Sequence, residues 1–302
     1  MKTSRRKFIT HSAAALAGAS FLPRLSFVGL AKGEVIGIQL YSVRDDMNKD
    51  PLGTLKQLAA MGYKNVEHAN YVNRKFYGYT PAEFKKILDD LGMKMPSGHT
   101  VMSAQHWDET KKDFTDPWKY TVDDAAYMGQ QYVISPWMDN KYRKDRSSLL
   151  GFMDVFNKSG ELCKKSGMKF GYHNHDFEFS EKLDGEVLFD IILNHTDASL
   201  VIIQLDTGNL YNGGANAMDV VKKYPGRFLS LHVKDEIAAA GGNEKYESTI
   251  LGAGIVNLKA VIDEVRRTTR GVHYIIEQES YQGKTPLECA KENLTIMKNW
   301  GY

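Results

Sequence analysis

Residues 172–179 read YHNHDFEF, placing two histidines, an asparagine, an aspartate and a glutamate within eight positions. The stretch directly follows an apolar-alternating segment, MKFGYH. Each polar group needs a partner once it leaves water. A strand end that collects so many is suited to binding a cation or moving a proton. Three other short apolar runs end in comparable groups: Asp206 in QLDTGN, His232 in LHVKD and Glu277 in IIEQES. Taken singly, Asp206 reads as an Asx-turn residue and His232 as a satisfied core histidine. Together, two carboxylates and a histidine with open positions suit Mn²⁺, Mg²⁺, Co²⁺ or Zn²⁺. Without a cation, buried carboxylates at such a site repel, and their pKa values are expected to rise.

These residues need elements that bring them to one place. From Glu34 onward, β-rich runs alternate with segments of helical period. The expected strands are Val35–Tyr41, Lys64–His68, Met93–Thr100, Tyr132–Trp137, Lys169–His175, Leu200–Asp206, Phe228–Lys234 and His273–Glu279. Helices are expected between them at Leu52–Met61, Pro81–Leu91, Trp118–Met128, Leu149–Ser166, Gly185–His195, Ala217–Tyr224 and Leu258–Arg267, with a last one over Pro286–Trp300. The phrases AAMGYKNVEH, AYMGQQYVIS and KKSGMKFGYH each pass from helix to strand through a glycine, a left-handed cap. Eight strand–helix units of about 30–35 residues fit a closed (β/α)8 TIM barrel. The open doubly wound alternative lacks a GxGxxG after the first strand, and no Walker lysine motif occurs.

A barrel places function at the C-terminal ends of its strands. Those ends carry Gln39 and Tyr41, Glu67, His99, Trp137, His173 and His175, Asp206 and Asn209, His232 and Lys234, and Glu277. The opposite ends, such as Lys64-Asn65, show no similar cluster. Tyr41, Trp137, Tyr172 and Phe177 could stack on a pyranose ring. His99 and Lys234 could hydrogen-bond hydroxyls or a carbonyl, although Lys234 could equally pair with Asp235. Glu67 is a candidate for substrate binding or proton transfer.

The 302 residues carry 39 basic and 37 acidic side chains, so no strong charge points to nucleic acid or an anionic membrane. Two cysteines make no disulfide scaffold. The N-terminus, MKTSRRKFITHSAAALAGASFLP, sets a basic segment before a short apolar run too small-residue-rich to span a membrane. Ser4–Ile9 resembles the twin-arginine export signal, with cleavage expected after Ala31. This leaves 32–302 as one exported, periplasmic barrel domain without a membrane span.

From about 35 to 300 the chain resembles the sugar phosphate isomerase/epimerase superfamily with the xylose isomerase-like barrel. The phrases GIQLYSVRD, GYKNVEHA, FGYHNHDFEF, QLDTGN, KYPGRFLSLHVKD, LGAGIVNL and IIEQES carry the resemblance. It implies a divalent metal held by Glu, Asp, His and Glu from the fifth to eighth strands. Asp206, His232 and Glu277 match three of these. The chain departs at the fifth strand, where His173 stands in the usual glutamate position. Glu178, five residues on, is the expected carboxylate replacement, with His173 or His175 as alternatives. The implied reaction begins with an enediolate, formed when a metal-held ketone loses a neighbouring C–H proton to a carboxylate or histidine. Glu178, Glu277, Lys234 and His175 are the catalytic candidates. Gln39, Tyr41, Glu67, His99, Trp137, His173, Asn209 and Lys234 are the substrate-binding ones. Isomerisation, epimerisation and β-elimination share this first step. Export and the lack of a phosphate nest beyond Gly252-Ala253-Gly254 favour an unphosphorylated keto-sugar or 3-keto-glycoside. The expected activity is an isomerase or epimerase, with a lyase second and a non-catalytic sugar-binding barrel third. The segment 236–254 is long enough for a lid or an interface between copies.

Overall fold

The computed structural model describes residues 34–302. The expected signal over 1–31 lies outside them. Eight parallel strands close into a barrel: β1 Val35–Gln39, β2 Asn65–His68, β3 Lys94–His99, β4 Tyr132–Ser135, β5 Lys169–His173, β6 Val201–Asp206, β7 Phe228–Val233 and β8 His273–Ile276. Closure is by pairing β1 with β8, in register Val35↔His273 to Ile38↔Ile276. The helices between and after the strands are α1 Pro51–Met61, α2 Pro81–Asp90, α3 Asp116–Met128, α4 Arg146–Lys165, α5 Leu188–His195, α6 Ala217–Lys223, α7 Leu258–Thr268 and α8 Pro286–Asn299. Among the described residues, no helix is long and apolar enough to cross a membrane.

Helix boundaries follow local chemistry. Thr80 and Thr285 open α2 and α8 with capping boxes completed by Glu83 and Glu288, each followed by proline in the first turn. Asp145 caps α4 by accepting from Ser148 N–H at 2.8 Å. Gly62, Gly129 and Gly167 have φ of 106°, 79° and 75°, the left-handed turn expected between helix and strand. The expected start of the fifth helix at Gly185 is corrected. Residues Glu186–Val187 pair instead with Lys182–Leu183 in a hairpin, and α5 begins at Leu188.

Most strands end earlier than their apolar text. β1 stops at Gln39 because its side-chain oxygen accepts from Tyr41 N–H at 3.1 Å, curling Leu40–Val43 into a 3-10 turn. β8 stops at Ile276 rather than Glu279, since Gln278 N–H donates to Ser42 Oγ and Glu279 N–H to Ser248 Oγ. The loops leaving β2, β3, β5 and β7 each contain an antiparallel hairpin. The one after β7 pairs Asp235–Ala238 with Tyr246–Thr249, so much of the segment expected as a lid or interface is an ordered ribbon.

A candidate metal and substrate site at the barrel mouth

His173, Asp206, His232 and Glu277 offer ligand atoms that all lie within 4.8 Å of one another, and all four residues are buried. They sit within one residue of the ends of β5, β6, β7 and β8, which are neighbours in the barrel. Asp206 Oδ1 accepts from Gly208 N–H and Asn209 N–H, both at 2.8 Å. That turn requires Gly208: a Cβ there would lie 2.5 Å from Glu236 Oε1 and 2.8 Å from Lys234 Cγ. Asp206 Oδ2 is buried with no hydrogen-bond partner among the described residues. An orphaned carboxylate oxygen inside a protein is costly, and a cation would satisfy it.

The histidines are oriented for the same purpose. His232 Nε2 lies 2.6 Å from Glu67 Oε1, and its Nδ1 lies 2.9 Å from Glu277 Oε2. His173 Nδ1 lies 3.1 Å from Gln204 Oε1, leaving Nε2 on the side of Asp206. A metal-ligating histidine commonly donates its other N–H to a carboxylate or carbonyl oxygen, and both rings are arranged this way. Glu67 anchors the set. Its Oε1 also accepts from Gln39 Nε2 at 2.8 Å, and its Oε2 accepts from Ser97 Oγ at 2.5 Å and Gln204 Nε2 at 2.9 Å.

Charge follows this geometry. Burial alone would keep the His232 ring neutral, but Glu277 and Glu67 outweigh it and push its pKa to about 10. Burial pushes the Asp206 carboxyl up to about 7 against the pull of Lys234. Burial acts upward on Glu277 too, but the His232 and Lys234 charges hold it well below the usual range. The expected upward shift of both carboxylates is therefore seen at Asp206 alone.

The structure does not bring Glu178 to this group. The helical turn Phe177–Ser180 swings its carboxylate into the protein. There Oε1 accepts from the Tyr172 hydroxyl, and Oε2 accepts from His175 N–H at 2.8 Å. Burial pushes its carboxyl up to about 7. It ties the loop back to β5, and His173 takes the fifth-strand position among the four.

Above the four lies a cavity of about 1150 Å³ lined by Tyr41, His99, Trp137, His173, His175, Asn209, Lys234 and Glu277. Gln39 and Glu67, expected to touch substrate, lie beneath it, fully buried in the hydrogen-bond network just described. Tyr172 is buried against Phe156, and Phe177 packs edge-on behind Trp137 at 5.2 Å, so neither presents a face for stacking. Lys234 does not pair with Asp235. Its Nζ donates to Asn209 Oδ1 at 2.8 Å and to Glu279, and lies 3.7 Å from Glu277 Oε2. Asp235 instead accepts backbone N–H groups from Gly252, Gly254 and Val256. His175 Nδ1 is buried with no hydrogen-bond partner among the described residues, and burial followed by Lys234 lowers its pKa to about 4.

Sequence reasoning missed Glu236. It lines the cavity from the hairpin after β7, almost wholly buried, with Oε2 unpartnered among the described residues and its carboxyl pushed by burial to about 8. Only its place two residues after Lys234 marked it. Gln204 was hidden because it precedes the polar strand end by two positions, in text that reads as core.

Residues 55–300 match the family model described as xylose isomerase-like TIM barrel. The chain belongs to the xylose isomerase-like TIM barrel family. Its relatives in this family are enzymes. An inosose dehydratase from Clostridium botulinum is 26% identical over 264 residues, 79% of this chain and 81% of that protein. Among solved structures, a sugar phosphate isomerase/epimerase from Parabacteroides distasonis superposes with a TM-score of 0.72 at 26% identity, covering 88% of this chain and 98% of that one. The IOLI protein with a bound zinc atom shares the fold at 12% identity, with a TM-score of 0.67 over 88% of this chain and 98% of its own. The xylose isomerase-like family thus holds both dehydratase and isomerase/epimerase members.

Proposed function

We propose that this barrel is a divalent-metal-dependent carbon–oxygen lyase acting on an unphosphorylated keto-sugar or 3-keto-glycoside. The observation carrying the proposal is the orphaned Asp206 Oδ2 facing His173, His232 and Glu277 at the cavity floor. Those four residues would hold the cation. When bound, it would supply Lewis acidity toward a substrate carbonyl, acidifying the adjacent C–H.

The protein's own groups supply the rest. Lys234 presents a buried ammonium, which Glu279, Asp206 and Glu277 keep charged against the effect of burial, and donates toward the substrate carbonyl or its neighbouring hydroxyl. His175, neutral and lining the cavity, takes the proton α to that carbonyl. The C–H electron pair forms the C=C bond as the β C–O bond breaks. Glu236, protonated at neutral pH, gives its proton to the departing oxygen. Similarity to inosose dehydratases supports elimination. Epimerisation needs acid–base groups on both faces of one carbon. It stays the second reading because Glu277 and His175 both line the cavity.

An unphosphorylated substrate is supported by Asp235, whose carboxylate occupies the amides of the Gly252–Gly254 turn, the one phosphate nest the sequence offered after the seventh strand. Export through the twin-arginine-like segment Ser4–Ile9 belongs to the same proposal. The test is solvent deuterium exchange into keto-sugars and 3-keto-glycosides, with Mn²⁺ and after chelation, read by NMR. Metal-dependent exchange with release of the β-substituent is expected. Exchange with inversion and no release would make the enzyme an epimerase. Metal bound without exchange in any substrate would overturn both.

A further inference from the structure

Of the seven large hydrophobic residues exposed among the described residues, five line this one cavity: Tyr41, Val72, Val101, Tyr120 and Trp137. Scattered apolar side chains are ordinary on a surface, but their concentration at one opening marks a binding surface. At about 1150 Å³ the cavity also exceeds the ~300–1,000 Å³ typical of small-molecule pockets, so a single sugar ring at the floor would leave much of it open. The floor is polar and charged, whereas the wall contributed by the β2 hairpin and α3 sets Tyr71, Val72 and Tyr120 among Asn70, Asn73 and Arg74.

That wall is held in place. Arg74 reaches from the hairpin turn to the nearly buried Asp124 of α3, with Nη2 to Oδ1 at 2.7 Å and Nε to Oδ2 at 3.0 Å. The Tyr71 hydroxyl donates to the same carboxylate at 2.6 Å. The Arg74 guanidinium lies over the Tyr120 ring, 4.4 Å from its centroid. Asn73 and Arg74 adopt left-handed backbone, with φ of 51° and 59°, to make this turn. Opposite, Trp137 is braced edge-on by His175 and Phe177. Rings fixed in this manner bind without first losing side-chain freedom.

We infer that the outer half of the cavity is a subsite for a ring-bearing aglycone, with Tyr71, Val72, Tyr120 and Trp137 facing the apolar surface of a second sugar or an aromatic group attached to the keto-sugar at the floor. This rests on the keto-glycoside reading above. The leaving group is then a ring rather than water or a small alcohol, and its departing oxygen emerges between floor and rim.

The test compares kcat/KM for the methyl, phenyl and cellobiose-derived 3-keto-β-glucosides with Mn²⁺ in the full chain and in Tyr120→Ala and Arg74→Ala variants. Each substrate is compared with itself across proteins, so leaving-group reactivity cancels. The expected result is a loss of about five- to tenfold for the ring-bearing substrates, carried by KM, with the methyl substrate losing much less. Loss with the cellobiose derivative alone supports a second sugar as occupant, and loss with the phenyl glycoside alone supports an aromatic one. Equal loss for all three, or none, overturns the subsite. No turnover of any ketone by the unaltered protein overturns the keto-glycoside reading, and the subsite with it.

Discussion

His173 and Glu178 are both within reach of the barrel mouth in sequence, but only one faces it. His173→Ala is expected to weaken Mn²⁺ or Zn²⁺ binding at least tenfold by calorimetry, while Glu178→Gln keeps the metal and loses thermal stability. The opposite pattern would return the fifth-strand ligand to Glu178. Glu67 lies beneath the cavity, where it orients His232 and steadies Gln204, which holds His173. Glu67→Ala should therefore cost about 10–100-fold in metal affinity. Asp206, His232 and Glu277 were legible because a strand's last residues point predictably into the barrel. The fifth-strand position stayed open between Glu178 and His173 or His175, because the helical turn at Phe177–Ser180, rather than any pattern of residue types, decides where Glu178 points.

At the scale of elements, the strand–helix alternation was readable from hydrophobic period and glycine caps. The hairpins were not, since strands of two to four residues leave almost no period to read. They matter for function: the β2 hairpin builds the aromatic wall, and the β7 hairpin carries Glu236. The base of that second hairpin depends on Asp235, which is fully buried and accepts from four backbone N–H groups, those of Glu236, Gly252, Gly254 and Val256. Asp235→Ala strands these donors and is expected to cost roughly 3 kcal/mol in urea unfolding. A loss within experimental error would remove the structural role given to Asp235.

For the whole molecule, His273 lies inside the barrel with neither ring nitrogen hydrogen-bonded among the described residues. Burial lowers its pKa to about 4, whereas the unfolded side chain has a pKa of about 6.5. The unfolded chain therefore takes up the proton first. The associated stability is fully present above about pH 6.5 and is lost as pH falls toward 4, by up to about 3 kcal/mol. His273→Leu should flatten that part of the stability–pH curve; an unchanged slope would assign the acid sensitivity elsewhere. Cell fractionation checks the proposed export: the mature chain is expected in the periplasm beginning near Lys32, and a full-length cytoplasmic chain would refute it.

The Asp235 carboxylate seated in the Gly252–Gly254 amides has one more consequence. It is a tethered competitor, present at an effective concentration far above that of any free anion in the medium. Inorganic phosphate and sulfate should thus leave activity untouched at millimolar levels.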